Sequence, residues 1–420
     1  MKGVKVAVEQ LQPGIYVQLP LKWFQHPFVL NRFKIKTADQ IKIIKSLGVS
    51  HVIAVPSKSD ARPIPLSELN PQEEDETVLE ELKDELTLIK EERMQKLKSF
   101  KSDLGRTEKC FQNSMTNVRN IMKDMRNKPI QAIDQASELI DEMADQLLNK
   151  GDAVLHLMNE SKEDEGLYYH ALNVSVLAML LGKKLGLKKA ELNTLGLAGL
   201  FHDVGKMKIP AQILRKTEPL NAAESNFLKL HPKYSVELLV TSAKFDDRAL
   251  KLIEQHHEYY DGSGHPLGLK GKELDPLSHI LSVVNNYDSL CHPINVKNAK
   301  SPFSALAHQF RVDKAKYESD SLSLLVKLLG IYPPGTVVEL DSGQCALVIS
   351  VNINKLLAPN VLIYDPLIPK DQAVILDLNE NDELKIVKAL HPSSLSEEVH
   401  TYLNPRVRVN YYFDHSDKPS

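Results

Sequence analysis

The chain has 420 residues, enough for two or three domains of ordinary size. Its 42% hydrophobic and 25% charged composition is that of a soluble globular protein, and the formal net charge of -3 excludes a global pull toward nucleic acid or acidic membrane, so any anionic ligand needs a local site. No apolar run approaches the roughly 18–20 residues that span a bilayer, no secretory leader pattern opens the chain, and Cys110, Cys291 and Cys345 form no CxxC pair, so we expect a cytoplasmic protein without disulfides.

Residues 1–65 alternate short β-prone runs, VKVAV, IYVQL after the Pro13-Gly14 turn and HVIAVP, around one amphipathic helix, TADQIKIIKSLG. That pattern predicts a small N-terminal α+β domain, with Trp23, Phe24 and Phe28 in its core. Residues 66–128 read as a charged helical connector. Acidic residues crowd its start and lysines follow, as a helix dipole favours, and Leu79, Leu82, Leu86 and Ile89 recur at spacings compatible with a dimerising helix.

From 129 to 330 the periodicity is mainly helical, with Ile133, Ala136, Ile140, Met143 and Leu147 on one stripe, and we expect an all-α bundle. Residues 331–420 turn β-rich, with TVVEL, QCALVISV, VLIY, AVILDL and RVRVNYY between polar turns. Asp341-Ser342-Gly343-Gln344 reads as a hairpin turn, and the final DHSDKPS is expected to fray. The fold class expected is multidomain α+β with a helical centre.

Chemistry concentrates in that centre. Seven of the fifteen histidines fall between 170 and 279, among them His170, His202, His231, His256 and His257. Neutral imidazole is the commonest protein metal ligand, and Asp203, directly after His202, is a carboxylate able to bridge two cations.

Two segments, HDVGKMKIP at 202–210 and HHEYYDGSGHP at 256–266, resemble the HD-GYP branch of the HD phosphohydrolase superfamily, whose members hydrolyse the bacterial second messenger cyclic di-GMP. The likeness runs from about Tyr168 to Leu290 and takes in HALNVSVLAMLLG and LGLKGKEL. VEQLQPGIYV and WFQHPF resemble the small domain of unknown function that often precedes HD-GYP domains.

The resemblance implies two divalent cations, iron, manganese or similar. One would take His170, His202 and Asp203; the other would share Asp203 and add His231, His256 and His257. Lys206 would face the scissile phosphate, and the loop of Asp261, Gly262, Gly264, His265 and Pro266 would approach the nucleotide. The chain departs from the family at His265, which replaces a tyrosine, and at Gly166, which stands where a third metal would have its glutamate. Asn285 stands where the first metal has its last aspartate; its amide has no charge and makes it the weakest member of the ligand set. Asp288 matches a second family aspartate that is not the usual ligand, and His279 and CHPINVKNAK replace arginine-bearing text.

The function expected is a metal-dependent phosphodiesterase opening cyclic di-GMP to pGpG and on to GMP. The alternative is a catalytically impaired module that binds the cyclic dinucleotide or a signalling partner; a third reading is an HD phosphohydrolase of mononucleotides or alarmones. Neither a nucleic-acid polymer nor a membrane span is expected, and a homodimer is compatible with the connector.

Overall fold

The computed structural model of the chain describes residues 3–21, 25–28, 31–68, 76–149, 154–158, 166–241, 245–293, 295, 298–352, 356, 358–366, 368, 370, 373–379, 384–404 and 410–413. Trp23, Phe24, the side chains of Leu79, Leu82, Leu86 and Ile89, and the DHSDKPS end lie outside the described residues. The chain divides into two compact units, one of residues 1–102, 341–344 and 364–374, the other holding the remainder.

In the first unit β1 (Val4–Ala7), β2 (Tyr16–Gln18), β3 (Arg32–Lys34) and β4 (His51–Ala54) form an antiparallel sheet in the order β1-β4-β2-β3. Helix α1 (Ala38–Ser46) begins at Thr37, whose hydroxyl accepts from the Gln40 amide and satisfies an otherwise orphaned donor. Its Ile41, Ile43 and Ile44 join Val6, Val17, Val52 and Phe28 in one core, so Phe28 is a packing residue as expected. Three-residue β3 is too short for alternation to reveal it. Within residues 66–128, expected as a connector, lies α2 (Glu76–Asp124).

The second unit is helical at its centre. Helix α3 (Pro129–Asn149) buries the expected stripe of Ile133, Ala136, Ile140, Met143 and Leu147. After it come β5 (Val154–Met158), α4 (Gly166–Lys184), α5 (Lys189–Phe201), α6 (Ala211–Leu214), α7 (Ala222–Leu228), α8 (His231–Leu239) and α9 (Asp247–Gln255). Then follow α10 (Pro276–Cys291), α11 (Pro302–Arg311) and α12 (Ser319–Leu329). Every residue of α4 from Tyr169 to Gly182 is buried, the state of a helix enclosed on all sides. Helix α5 can lie close against it because Gly199 has no side chain: a Cβ there would stand 2.7 Å from Ser175 Cα and 2.8 Å from Ser175 N. Gly199→Ala is therefore expected to force the two helices apart at a cost of about 1–3 kcal/mol, seen as a lower urea midpoint. An unchanged midpoint would show that the pair can open freely.

The last part of the chain supplies β6 (Val337–Leu340), β7 (Cys345–Asn352), β8 (Asn360–Ile363), β9 (Ile375–Asp377), β10 (Ile386–Leu390), α13 (Glu397–Leu403) and β11 (Asn410–Phe413). β6 and β7 form the expected hairpin, with Gly343 of the turn at φ 73°. The sheet has seven antiparallel strands in the order β10-β6-β7-β5-β11, with β8 and β9 continuing from β7. One of them, β5, comes from the stretch expected to be all helix, because a five-residue apolar run such as VLHLM gives no period by which strand and helix can be told apart. Helix α13 was equally unexpected; Ser396 caps it through the Val399 amide, and Glu397 and Glu398 suit its positive end. Among the described residues no helix is long and apolar enough to cross a membrane, and all three cysteines are free thiols.

Candidate metal centre

Two helical hairpins build the site. Helices α4 and α5 are joined by four residues, with Gly186 at φ 73° and the Leu187 amide donating to Gly182 O to close the turn. His170 near the start of α4 and His202 just past the end of α5 therefore emerge at the same open end, their Nε2 atoms 3.1 Å apart. The α8/α9 hairpin repeats the device: His231 opens α8, His256 follows α9, and their Nε2 atoms are 3.2 Å apart. Gly205, between His202 and α8, allows the close approach, since a Cβ there would meet His231 O at 2.2 Å.

The other ring nitrogen fixes each tautomer. Nδ1 lies 2.8 Å from Gly199 O in His202, 2.7 Å from Leu228 O in His231 and 2.6 Å from Ile253 O in His256. A carbonyl oxygen only accepts, so each Nδ1 carries a proton, and each ring when neutral offers an Nε2 lone pair. His170 obeys the same rule with a carboxylate, its Nδ1 donating to Asp288 Oδ2 at 2.5 Å. With all four rings neutral, each close Nε2 pair sets one lone pair against another, which repels unless a proton or a metal cation lies between.

Asp203 stands between the pairs. Its Oδ2 is 3.5 Å from His170 Nε2 and 3.4 Å from His202 Nε2; its Oδ1 is 3.1 Å from His231 Nε2 and 3.9 Å from His256 Nε2. His257 completes the second set, its ring centroid 4.2 Å from that of His256 and 5.0 Å from that of His231. In each set, His170, His202 and Asp203 or Asp203, His231, His256 and His257, the donor atoms lie within 4.8 Å of one another. Imidazole nitrogens sharing one carboxylate fit borderline divalent transition metals, and the convergence of these donor atoms shows that the residues fit such a group.

Electrostatics agree. Burial alone would raise the Asp203 carboxyl, but the Lys206 ammonium on Oδ2 holds it well below its usual range. Burial, reinforced by the surrounding imidazoles, pushes His256 and His257 well below the usual histidine value.

Asp288 has a part that its position in the sequence did not suggest. Besides His170, its Oδ1 accepts from Asn173 Nδ2 at 3.0 Å, and His292 Nδ1 lies 3.0 Å from Oδ2. A carboxylate behind a metal-binding histidine fixes the ring and raises its basicity. Asn285 is buried one helical turn earlier on α10, and among the described residues no hydrogen bond or ion pair ties it to the cluster. Gly166 is the first residue of α4.

The loop residues are divided. Asp261 closes its own turn, Oδ1 accepting from Ser263 N at 2.9 Å and Ser263 Oγ at 2.6 Å, and Gly262 sits at φ 82°. Gly264 lies on the backbone of residues 257–259, where a Cβ would come within 2.5 Å. His265, followed by half-buried Pro266, stacks its ring 4.7 Å from that of His257 and has a buried Nδ1 without a partner. Beneath them is Glu258, which sequence reasoning missed: its carboxylate accepts from the amides of Leu267 at 2.5 Å, Gly268 at 3.1 Å and Leu269 at 3.1 Å. Its place in HHE was the only signal. His279 lies apart, its ring beside that of Tyr260 at 5.5 Å.

Comparison with known proteins adds a lineage. Residues 131–319 match the family described as HD domain, and residues 4–136 match a domain of unknown function, DUF3391. The chain is 30% identical over 236 residues to the cyclic di-GMP phosphodiesterase PA4108 of Pseudomonas aeruginosa, covering 56% of this chain and 57% of that one. It is 35% identical over 138 residues to the cyclic di-GMP phosphodiesterase response regulator RpfG of Xanthomonas campestris, covering 33% of this chain and 36% of that one. It is 27% identical over 164 residues to the 3'3'-cGAMP-specific phosphodiesterase 3 of Vibrio cholerae, covering 39% of this chain and 35% of that one. The matches thus span between about a third and somewhat over half of each relative. The chain thus carries a match to the DUF3391 model followed by a match to the HD-domain model, and the relatives it is similar to are named as cyclic dinucleotide phosphodiesterases.

Proposed function

We propose that the chain is a metal-dependent phosphodiesterase that opens cyclic di-GMP to pGpG and on to GMP with two divalent cations. The observation that carries this reading is the pair of facing imidazole sets on opposite oxygens of the buried Asp203 carboxylate. His170 and His202 would hold one cation; His231, His256 and His257 would hold the other, with Asp203 shared between them. When bound, such a pair polarises a phosphodiester and lowers the pKa of water toward neutrality, so that no protein nucleophile is required. Asp288 keeps His170 in the tautomer that offers Nε2. Lys206, now on Asp203, has a compact ammonium suited to offset charge developing on the phosphate. The Glu258-braced loop, with Asp261, Gly262, Gly264, His265 and Pro266, would border the dinucleotide.

In this reading residues 1–65 form a regulatory domain, 66–128 a connector, 129–330 the catalytic domain and 331–420 a β-rich segment. Purified protein loaded with manganese or iron should release linear product from cyclic di-GMP. Because one relative is named for 3'3'-cGAMP, both cyclic dinucleotides belong in the assay. Absence of turnover with either, at high enzyme concentration, would reject the enzymatic reading.

Asn285 favours a second reading, in which the domain binds cyclic di-GMP or a signalling partner without hydrolysing it. Asn285→Asp would restore the missing charge and is expected to tighten one cation by about 10–100-fold, read by chelator competition, and to raise turnover with it. Ligand binding without turnover in both forms would favour the binding module.

A further inference from the structure

Asn173 lies on α4, one turn after His170, and is fully buried. Its Nδ2 donates to Asp288 Oδ1 at 3.0 Å and to Asn410 Oδ1 at 3.1 Å, and its Oδ1 accepts from the Tyr411 amide at 3.0 Å. A side-chain amide has two N–H donors, so one is committed to the carboxylate that orients His170 and the other to β11. Tyr411 supplies a second tie, its hydroxyl bonding that of Tyr287 at 2.8 Å, next to Asp288 on α10. Strand β11 thus grips both helices that carry the His170–Asp288 pair. Asn410 and Asn173 are 0% exposed, and Tyr287 and Tyr411 no more than 1%, so water is poorly placed to replace these bonds. The strand is itself anchored, since Asn410 pairs with Met158 and Phe413 with Leu155 of β5.

We infer that β11 is a working part of the first cation position, with Asn173 and Asn410 as positioning residues that hold Asp288, and through it the His170 ring. This gives the β-rich segment, whose described residues hold no metal-ligand cluster of their own, a task at the metal centre. Neither residue touches the cluster directly. Without the Asn173 amide the Asp288 carboxylate loses a fixed donor and can rotate, and the His170 Nε2 loses its aim.

The inference rests on the two-cation reading, and the test separates the two. Manganese affinities are measured by chelator competition on the full chain, for the unaltered protein, Asn173→Ala, Asn410→Ala and Tyr412→Phe. Asn173→Ala and Asn410→Ala should weaken one equivalent by roughly 10–100-fold and leave the other in place. Tyr412→Phe is the control: it alters the same strand at a hydroxyl that bonds Ser114 of α2 at 2.8 Å, and should retain both equivalents. Equal weakening of both equivalents, or the same selective loss in Tyr412→Phe, overturns the inference. If Asn173→Ala and Asn410→Ala hold two equivalents as tightly as the unaltered chain, it falls alone; if the unaltered chain holds none, it falls together with the two-cation reading. Should Asn173→Ala fail to fold, Asn410→Ala, which leaves α4 unchanged, decides.

Discussion

Replacing Asp203 by alanine is expected to remove both cations at once and to lower phosphodiester turnover by on the order of 10³-fold, about 4 kcal/mol of barrier at ~1.4 kcal/mol per decade. Asp203 is the only carboxylate in either ligand set, and each of its oxygens serves a different histidine pair. Its loss leaves imidazole nitrogens facing one another, with only Asp288, set behind His170, to offset two divalent charges in a buried site. Asn285 cannot compensate, because an amide brings no charge. Asp203→Asn, with nearly the same shape, should fail almost as badly, which would separate lost charge from lost packing. Elemental analysis and product release measure the two effects together. A variant that loses one equivalent and keeps the other would show that the carboxylate is not shared.

Acidification should destabilise the chelator-treated protein, beginning below pH 6.5. Burial first, then neighbouring imidazoles, hold His256 and His257 well below 6.5 in the folded state, against a smaller opposing pull from Asp203. His265 is pushed down to about 4 by burial and by His231 and Lys229. Once unfolded, these rings regain an ordinary value near 6.5. Below that pH the unfolded chain binds protons that the folded chain refuses, so stability falls as pH falls, until the folded-state values are reached. The slope is about 1.4 kcal/mol per pH unit for an imidazole as buried as His256; half-exposed His265 contributes less. Asp203 and Asp288, held below 3.8, lend stability that is lost only as pH falls through that value, so they do not mask the histidine slope. Urea midpoints between pH 7.5 and 5 measure the effect, and a flat profile would contradict it.

The clustering of the candidate ligands was legible because several are adjacent or lie in the motifs that carry the resemblance: His202 with Asp203, His256 with His257. Hairpin packing then decides which side chains meet, and that is where the sequence falls silent. His170 and Asp288 are 118 positions apart, and Asn173 and Asn410 are 237 apart. Helical period places Asp288 on a face of α10 without saying which helix lies opposite. For the same reason the Asn285 substitution was conspicuous while the strength of Asp288 was not. The β-rich segment could be read as strands, but its pairing with β5, far earlier in the chain, could not, since register depends on partners that local alternation does not name.

The paired hairpins have a consequence for how the domain matures. Each brings two imidazoles to its tip, and neither tip is complete until the other arrives, so ions lodged between them would act as a clasp that closes late. Folding is then coupled to mineral supply: above the dissociation constant, each tenfold rise in free cation adds about 1.4 kcal/mol per site to the clasped state. Newly made chains in a starved cell would keep their core and leave the clasp unfastened.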